Sequence, residues 1–211
     1  MRVVIRKESL RRLLKWTQRV LLTCAVVLLG YCGFALVDAW VFQRRESRNL
    51  DRLLRDRRAA SQSTAQAEAA RLPVAAETVA ADSLIGRIEI PRLLLSVVVV
   101  EGIGRSALRR AVGHIPGTAL PGHPGNVGLA GHRDTFFRPL KDLRVKDEIR
   151  FSTVKGIFKY SVVSLTIVDP DDVGVLASAG ENVLTLVTCY PFYYIGPAPY
   201  RWIVRARQVS P

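Results

Sequence analysis

Thiol and imidazole groups are scarce in this chain of 211 residues, so each can be weighed singly. Cysteine occurs at 24, 32 and 189, and histidine at 114, 123 and 132. Cys24 and Cys32 lie in an uncharged apolar stretch, which leaves Cys189 as the one thiol of the remaining chain. A thiolate attacks carbonyl carbon well, and an imidazole can give and take the protons that such an attack requires. The blander reading of Cys189 is a small buried apolar side chain. Zinc is a third reading, but the histidines stand nine residues apart and the thiol lies more than fifty beyond the last. That is not compact ligand spacing, and neither a metal nor any other cofactor is expected.

The elements around these residues decide which of them can meet. Residues 184–189, LTLVTC, read as a strand with Val183, Thr185, Val187 and Cys189 on one face and Leu184, Leu186 and Thr188 on the other. A thiol at a strand end is backed by rigid structure while facing a loop. His132 follows NVGLAG at 126–131, again the end of a strand, whereas His114 and His123 bracket the Pro/Gly-rich turns at 115–122. His132 is therefore the favoured partner, with His114 and then His123 as alternatives. Arg201 opens the last strand after the loop 190–200, and antiparallel pairing of consecutive strands brings it beside Cys189. Arg205 shares its face and is the rival. The loop itself holds Pro191, Pro197, Pro199 and Gly196 with Phe192, Tyr193 and Tyr194, suited to wall a peptide groove or simply to pack.

The surrounding pattern is mostly short strands: 84–90, 94–100, part of 125–131, 148–154, 157–168, 183–188 and 201–209. A short helix over 107–112, capped by Ser106, and a helical turn at 135–140 are the only helical signals there. The almost wholly apolar run at 94–100 implies burial on both faces. Such a sequence predicts an all-β fold, a closed or nearly closed β-barrel with short helices, rather than a βαβ sheet.

Ahead of the barrel, residues 20–37 carry no charge, and Trp40 follows at an interface position. About twenty such residues span the hydrocarbon of a bilayer, which predicts one transmembrane helix rather than a cleaved signal or a buried soluble helix. The organisation expected is a basic cytoplasmic N-terminus at 1–19, an anchor at 20–42, a stalk and linker at 43–82 and a catalytic domain at 83–211. Residues 43–58 read as a solvated, Arg-rich helical stalk with a weak stripe at Leu50, Leu53 and Leu54, and 59–82 as a spacer. Seven Lys/Arg on each side of the span give no orientation by counting. The plasma-membrane, N-in topology rests on the chemistry of the C-terminal part. The net charge of +13 points to membrane lipid rather than nucleic acid, because 14 of the 31 Lys/Arg but only 5 of the 18 Asp/Glu lie in residues 1–58. No acidic cluster argues for calcium.

At these residues the chain resembles the sortases, bacterial cell-surface cysteine transpeptidases. The resemblance is carried by TLVTC at 185–189, by Arg201 within APYRWIVRA at 198–206, by GNVGLAGHRDTFFRPL at 125–140 and by GHIPGTALPG at 113–122. It covers most of 84–209 and is nearest to class D, which usually has a single N-terminal anchor. The DPW or DPF lid motif of many class C members is missing, and Asp38-Ala39-Trp40 sits at the membrane edge instead. The resemblance implies an eight-stranded barrel, with Cys189 as nucleophile, His132 as proton-transfer residue and Arg201 as oxyanion partner. It also implies the partners: surface proteins with a C-terminal sorting signal, and an amine acceptor of peptidoglycan, pilin or another envelope component. Asp134 is assigned a structural role in preference to orienting a base, and Thr188 shapes the substrate site. A thiol endopeptidase that mainly hydrolyses its acyl enzyme, and a non-catalytic envelope peptide-binding protein, are the competing functions.

Overall fold

A computed structural model describes residues 7–63, 80, 82–177 and 180–209. The chain divides into two compact units, one ending at Val41 and the other beginning at Phe42, and helix α1 (Lys7–Ser63) contributes to both. In the first unit Leu21, Val27, Leu29, Phe34 and Leu36 are all exposed. By length and composition this helix is apolar enough to cross a membrane. Its backbone groups are paired within the helix, so apolar side chains are all it need present to lipid.

The second unit is a closed barrel. Its strands are β1 (Leu84–Ile90), β2 (Leu95–Glu101), β3 (Val112–His114), β4 (Asn126–Ala130), β5 (Glu148–Thr153), β6 (Gly156–Val168), β7 (Val183–Tyr190) and β8 (Tyr200–Gln208), with the short helix α2 (Arg105–Arg110) before β3. Around the barrel the order is β1-β2-β3-β4-β7-β8-β6-β5. The joins β2/β3 and β4/β7 are parallel and the others antiparallel. Closure leaves no sheet edge exposed. Ile88, Ile90, Val97, Val99, Leu129, Phe151, Tyr160, Leu184, Leu186 and Val204 belong to the interior. Burial of Tyr160 pushes its phenol up to about 12.

The valines of β2 explain its lack of polar alternation. Val97 and Val99 face the interior, while Val98 and Val100 form an outer cluster with Ala107 and Ala111, against which Phe42 and Leu84 pack. The strand begins one residue later than the sequence suggests, because Leu94 is left-handed (φ 51°) and 93% exposed, closing the turn Pro91–Leu93. Ser106 does not cap α2: Gly104 holds that position, and the Ser106 hydroxyl donates to Asp82 Oδ2 at 3.3 Å. Strand β3 has no counterpart in the periodicity reading. Three residues, Val-Gly-His, are too few to show alternation.

From Phe42 onward α1 does more than a solvated stalk would. Gln43 accepts from the Val98 N–H at 2.9 Å, just beyond the ladder between β2 and β3, and donates to the Arg110 carbonyl at 2.6 Å. Leu50 is fully buried, and Arg87 on β1 donates to Asp51 at 3.1 Å. This stretch of helix is packed as part of the second unit. Residues 64–79 and 81, most of the expected spacer, lie outside the described residues.

Candidate active site

Strand register assembles the rim. In the parallel β4/β7 pair Ala130 lies opposite Val187, and the match continues as the Gly131 N–H donates to Val187 O at 3.1 Å. The buried Thr188 hydroxyl donates to the Gly131 carbonyl at 2.7 Å. One step further, His132 reaches the level of Cys189. In the antiparallel β7/β8 pair Cys189 lies directly opposite Arg201. Cys189 and Arg201 thus sit side by side near the ends of β7 and β8, and His132 follows two residues beyond the end of the adjacent β4, neighbouring strands being spaced about 4.8 Å apart. Cys189 and Arg201 are half-buried and His132 is exposed. Arg205 lies opposite Thr185, roughly 13 Å down the strand from Arg201 at about 3.3 Å per residue.

The turn carrying His132 is held from below. A Cβ on Gly131 would approach the ring of Phe137 to 2.7 Å, so the fully buried phenylalanine requires a residue without a side chain there. Phe137 N–H in turn donates to the His132 carbonyl at 3.1 Å. Arg133 holds the turn from the side. Its guanidinium donates to the carbonyls of Pro191 (3.1 Å), Tyr194 (2.7 Å) and Gly196 (3.0 Å), and lies 5.7 Å from the Tyr194 ring centre. The loop that joins Cys189 to Arg201 is therefore fastened to the residue after His132. Sequence reasoning missed Arg133. Its place beside His132 was the only signal, because its carbonyl partners carry no side-chain signature.

Arg201 donates to the carbonyls of Ala198 (3.3 Å) and Tyr200 (3.1 Å), which anchor its fork at the strand start. Of the loop aromatics, Phe192 packs on the core and, with Tyr190 and Trp202, forms a cluster in which Tyr190 and Trp202 stack at 5.7 Å. Tyr193 is exposed. On β7 the buried Thr185 hydroxyl donates to Asn126 Oδ1 at 2.8 Å, and Asn126 Nδ2 donates to Val175 O at 3.2 Å. That pair pins the β6–β7 connection over β4 and β7, and it too escaped the sequence reading.

The other histidines are elsewhere. His114 is buried, with Nδ1 2.7 Å from Glu101 Oε2 and Nε2 3.0 Å from Ala119 O, and His123 Nε2 lies 3.2 Å from Lys155 Nζ. The Thr188 hydroxyl is used as a latch between strands. Asp134 is exposed and makes no ion pair with Arg133 or Arg138.

Comparison with known proteins agrees with this architecture. The sortase-domain family model matches residues 88–209. Sortase D of Bacillus subtilis is 32% identical over 194 residues, covering 90% of this chain and 96% of that protein. Sortase SrtE1 of Streptomyces coelicolor is 33% identical over 142 residues, covering 58% of this chain and 40% of that protein. Among solved structures, the Clostridium perfringens sortase D5 transpeptidase superposes with a TM-score of 0.58 at 32% identity, covering 64% of this chain and 84% of that one. The SrtA sortase of Actinomyces oris gives 0.58 at 30% identity, covering 65% and 86%. A closed eight-stranded barrel with this likeness defines a cysteine transpeptidase. The chain belongs to the sortase family, and its similarity to sortase D extends over most of its length.

Proposed function

We propose that the protein cleaves a C-terminal sorting signal of surface proteins and transfers the acyl group to an envelope amine, with Cys189, His132 and Arg201 as the catalytic residues. The observation that supports this reading is the register of β4, β7 and β8, which share one rim where Cys189 lies opposite Arg201 and the turn carrying His132 leaves β4. The Cys189 thiolate attacks the carbonyl carbon of a Thr-Gly or similar bond and a C–S bond forms. Protonated His132 gives its proton to the departing amine as the C–N bond breaks. An incoming amine then attacks the thioester; its proton passes to neutral His132, the new C–N bond forms and the thiolate is released. Arg201 donates where charge collects on the carbonyl oxygen, and its cation favours the thiolate.

The one helix among the described residues that is long and apolar enough to span a bilayer supports a membrane anchor, with the N-terminus in the cytoplasm and the barrel outside, where the partners named above reside. Protease added to the outer face of the plasma membrane should digest the barrel; protection there would reverse the topology. The activity is tested with the full chain in detergent micelles, peptides containing a Thr-Gly bond, and an amine acceptor. Ligated product that grows with acceptor concentration is expected. Cleavage unchanged by acceptor, with only hydrolysed product, would make the protein a thiol endopeptidase.

A further inference from the structure

An open cleft of about 520 Å³ lies beside His132, on the side away from Arg201, and nothing above assigns it a ligand. Topology places it there. β3 runs antiparallel to β4, with Gly113 opposite Ala130, so the start of β3 and the end of β4 share a rim. Helix α2 leads directly into β3 and therefore borders the His132 turn. Along the rim the order is α2, His132, Cys189, Arg201.

Arg105 and Arg109 stand four apart on α2, which sets them on one face of the helix, and both line the cleft. They are exposed, and neither makes an ion pair among the described residues. The next arginine, Arg110, turns instead over the ring of Phe42 at 5.8 Å. Leu108 supplies apolar lining, and His132, Asp134 and Thr135 form the opposite wall. Asp134 likewise has no ion-pair partner among the described residues. The cleft thus offers two cations across from one anion and an imidazole, and no described residue forms an ion pair with either cation.

We propose that this cleft is the acceptor site, and that it takes an amine bearing a carboxylate within a few bonds of its amino group. The inference rests on Cys189 and His132 acting as described under Proposed function. The departing and the arriving amine both exchange a proton with His132, so they pass on the same side of the thioester. With Arg201 on the far side of Cys189, the open side is the cleft. There the acceptor's carboxylate meets Arg105 and Arg109, its ammonium rests near Asp134 before losing a proton, and its carbon chain lies over Leu108. Exposed pairs of this kind are individually weak, and two together support about a five- to tenfold preference.

The test needs no knowledge of the natural sorting signal. The full chain in detergent micelles is treated with p-nitrophenyl acetate, which forms a C–S bond between acetyl and Cys189 and releases p-nitrophenolate. Aminolysis of the acetyl-Cys189 adduct, located by peptide mass, is then followed with lysine and with lysine amide, which differ at the carboxylate. Wild type should use lysine at about five- to tenfold lower KM; the preference should vanish in Arg105→Gln/Arg109→Gln and shrink at high salt. The ratio of the two KM values is taken within each variant, so partial loss of folded protein does not mimic the effect. Equal use of both amines by wild type, or a preference untouched in the double variant, overturns the acceptor site alone. Failure to acylate Cys189 overturns the nucleophile assignment, and the acceptor site with it.

Discussion

At the scale of single residues, the proposed oxyanion role separates the two arginines of β8. Arg201 lies opposite Cys189 while Arg205 lies opposite Thr185. Arg201→Ala should lower kcat/KM for acylation by about 10²–10³, the usual cost of an oxyanion donor, and Arg205→Ala should change it little. Equal losses in the two variants would displace Arg201 from the assigned role. Arg133 acts through the loop it fastens. Arg133→Ala leaves three carbonyls without their donor and should cost about 1–3 kcal/mol of stability, read from a denaturant melt. Arg133→Lys should restore only part, because an ammonium cannot reproduce the planar fork. Full restoration by lysine would show that charge alone suffices. The Cys189–Arg201 pairing was legible because consecutive antiparallel strands join the end of one to the start of the next. The Arg133 clamp was not, because it is read out by backbone oxygens of a loop whose path no periodicity describes.

At the scale of elements, the informative case is the helix segment after Phe42. Its sequence shows a weak stripe, and the structure uses it unevenly: Leu50 is fully buried and Leu53 is 49% exposed. A single buried leucine and one glutamine clip are invisible to a moment taken over an Arg-rich stretch, so a solvated stalk was the natural expectation. Leu50→Ala should destabilise the second unit by about 2–5 kcal/mol, measured as a shift of its unfolding midpoint. A change within about 0.5 kcal/mol, as at ordinary surface positions, would mean that the helix merely rests on the barrel. Strand β3 escaped for the opposite reason. It is defined by its neighbours in the ladder and not by its own three side chains, whereas β7, long and alternating, could be read directly.

At the scale of the whole molecule, the barrel must stay closed for its rim to hold. Arg92, in the turn after β1, donates to both oxygens of Asp147, just before β5, and the hydrogen bond from Arg92 holds the Asp147 carboxyl below the usual carboxylate range. A folded carboxyl lowered in this way contributes stability that is fully present above its unfolded value, near pH 4, and is lost as pH falls through the folded value. Asp147→Asn should therefore lower stability at neutral pH and flatten the acid limb below about pH 4; an unchanged limb would mean that other carboxyls set it. Closure of the barrel and the presence of an apolar helix were foreseeable from composition and strand spacing, but the ring order was not, since β4/β7, β6/β8 and β1/β5 join strands that are not consecutive in the chain. The central claim is that this closed ring sets a nucleophilic Cys189 between His132 and Arg201. Its most direct measurement is the intact and peptide mass of the full chain after exposure to peptides containing a Thr-Gly bond. A thioester-linked acyl fragment on Cys189, released by hydroxylamine and missing from Cys189→Ala, is the expected result. Peptide cleavage that persists in Cys189→Ala, or cleavage by wild type through another residue, would contradict it.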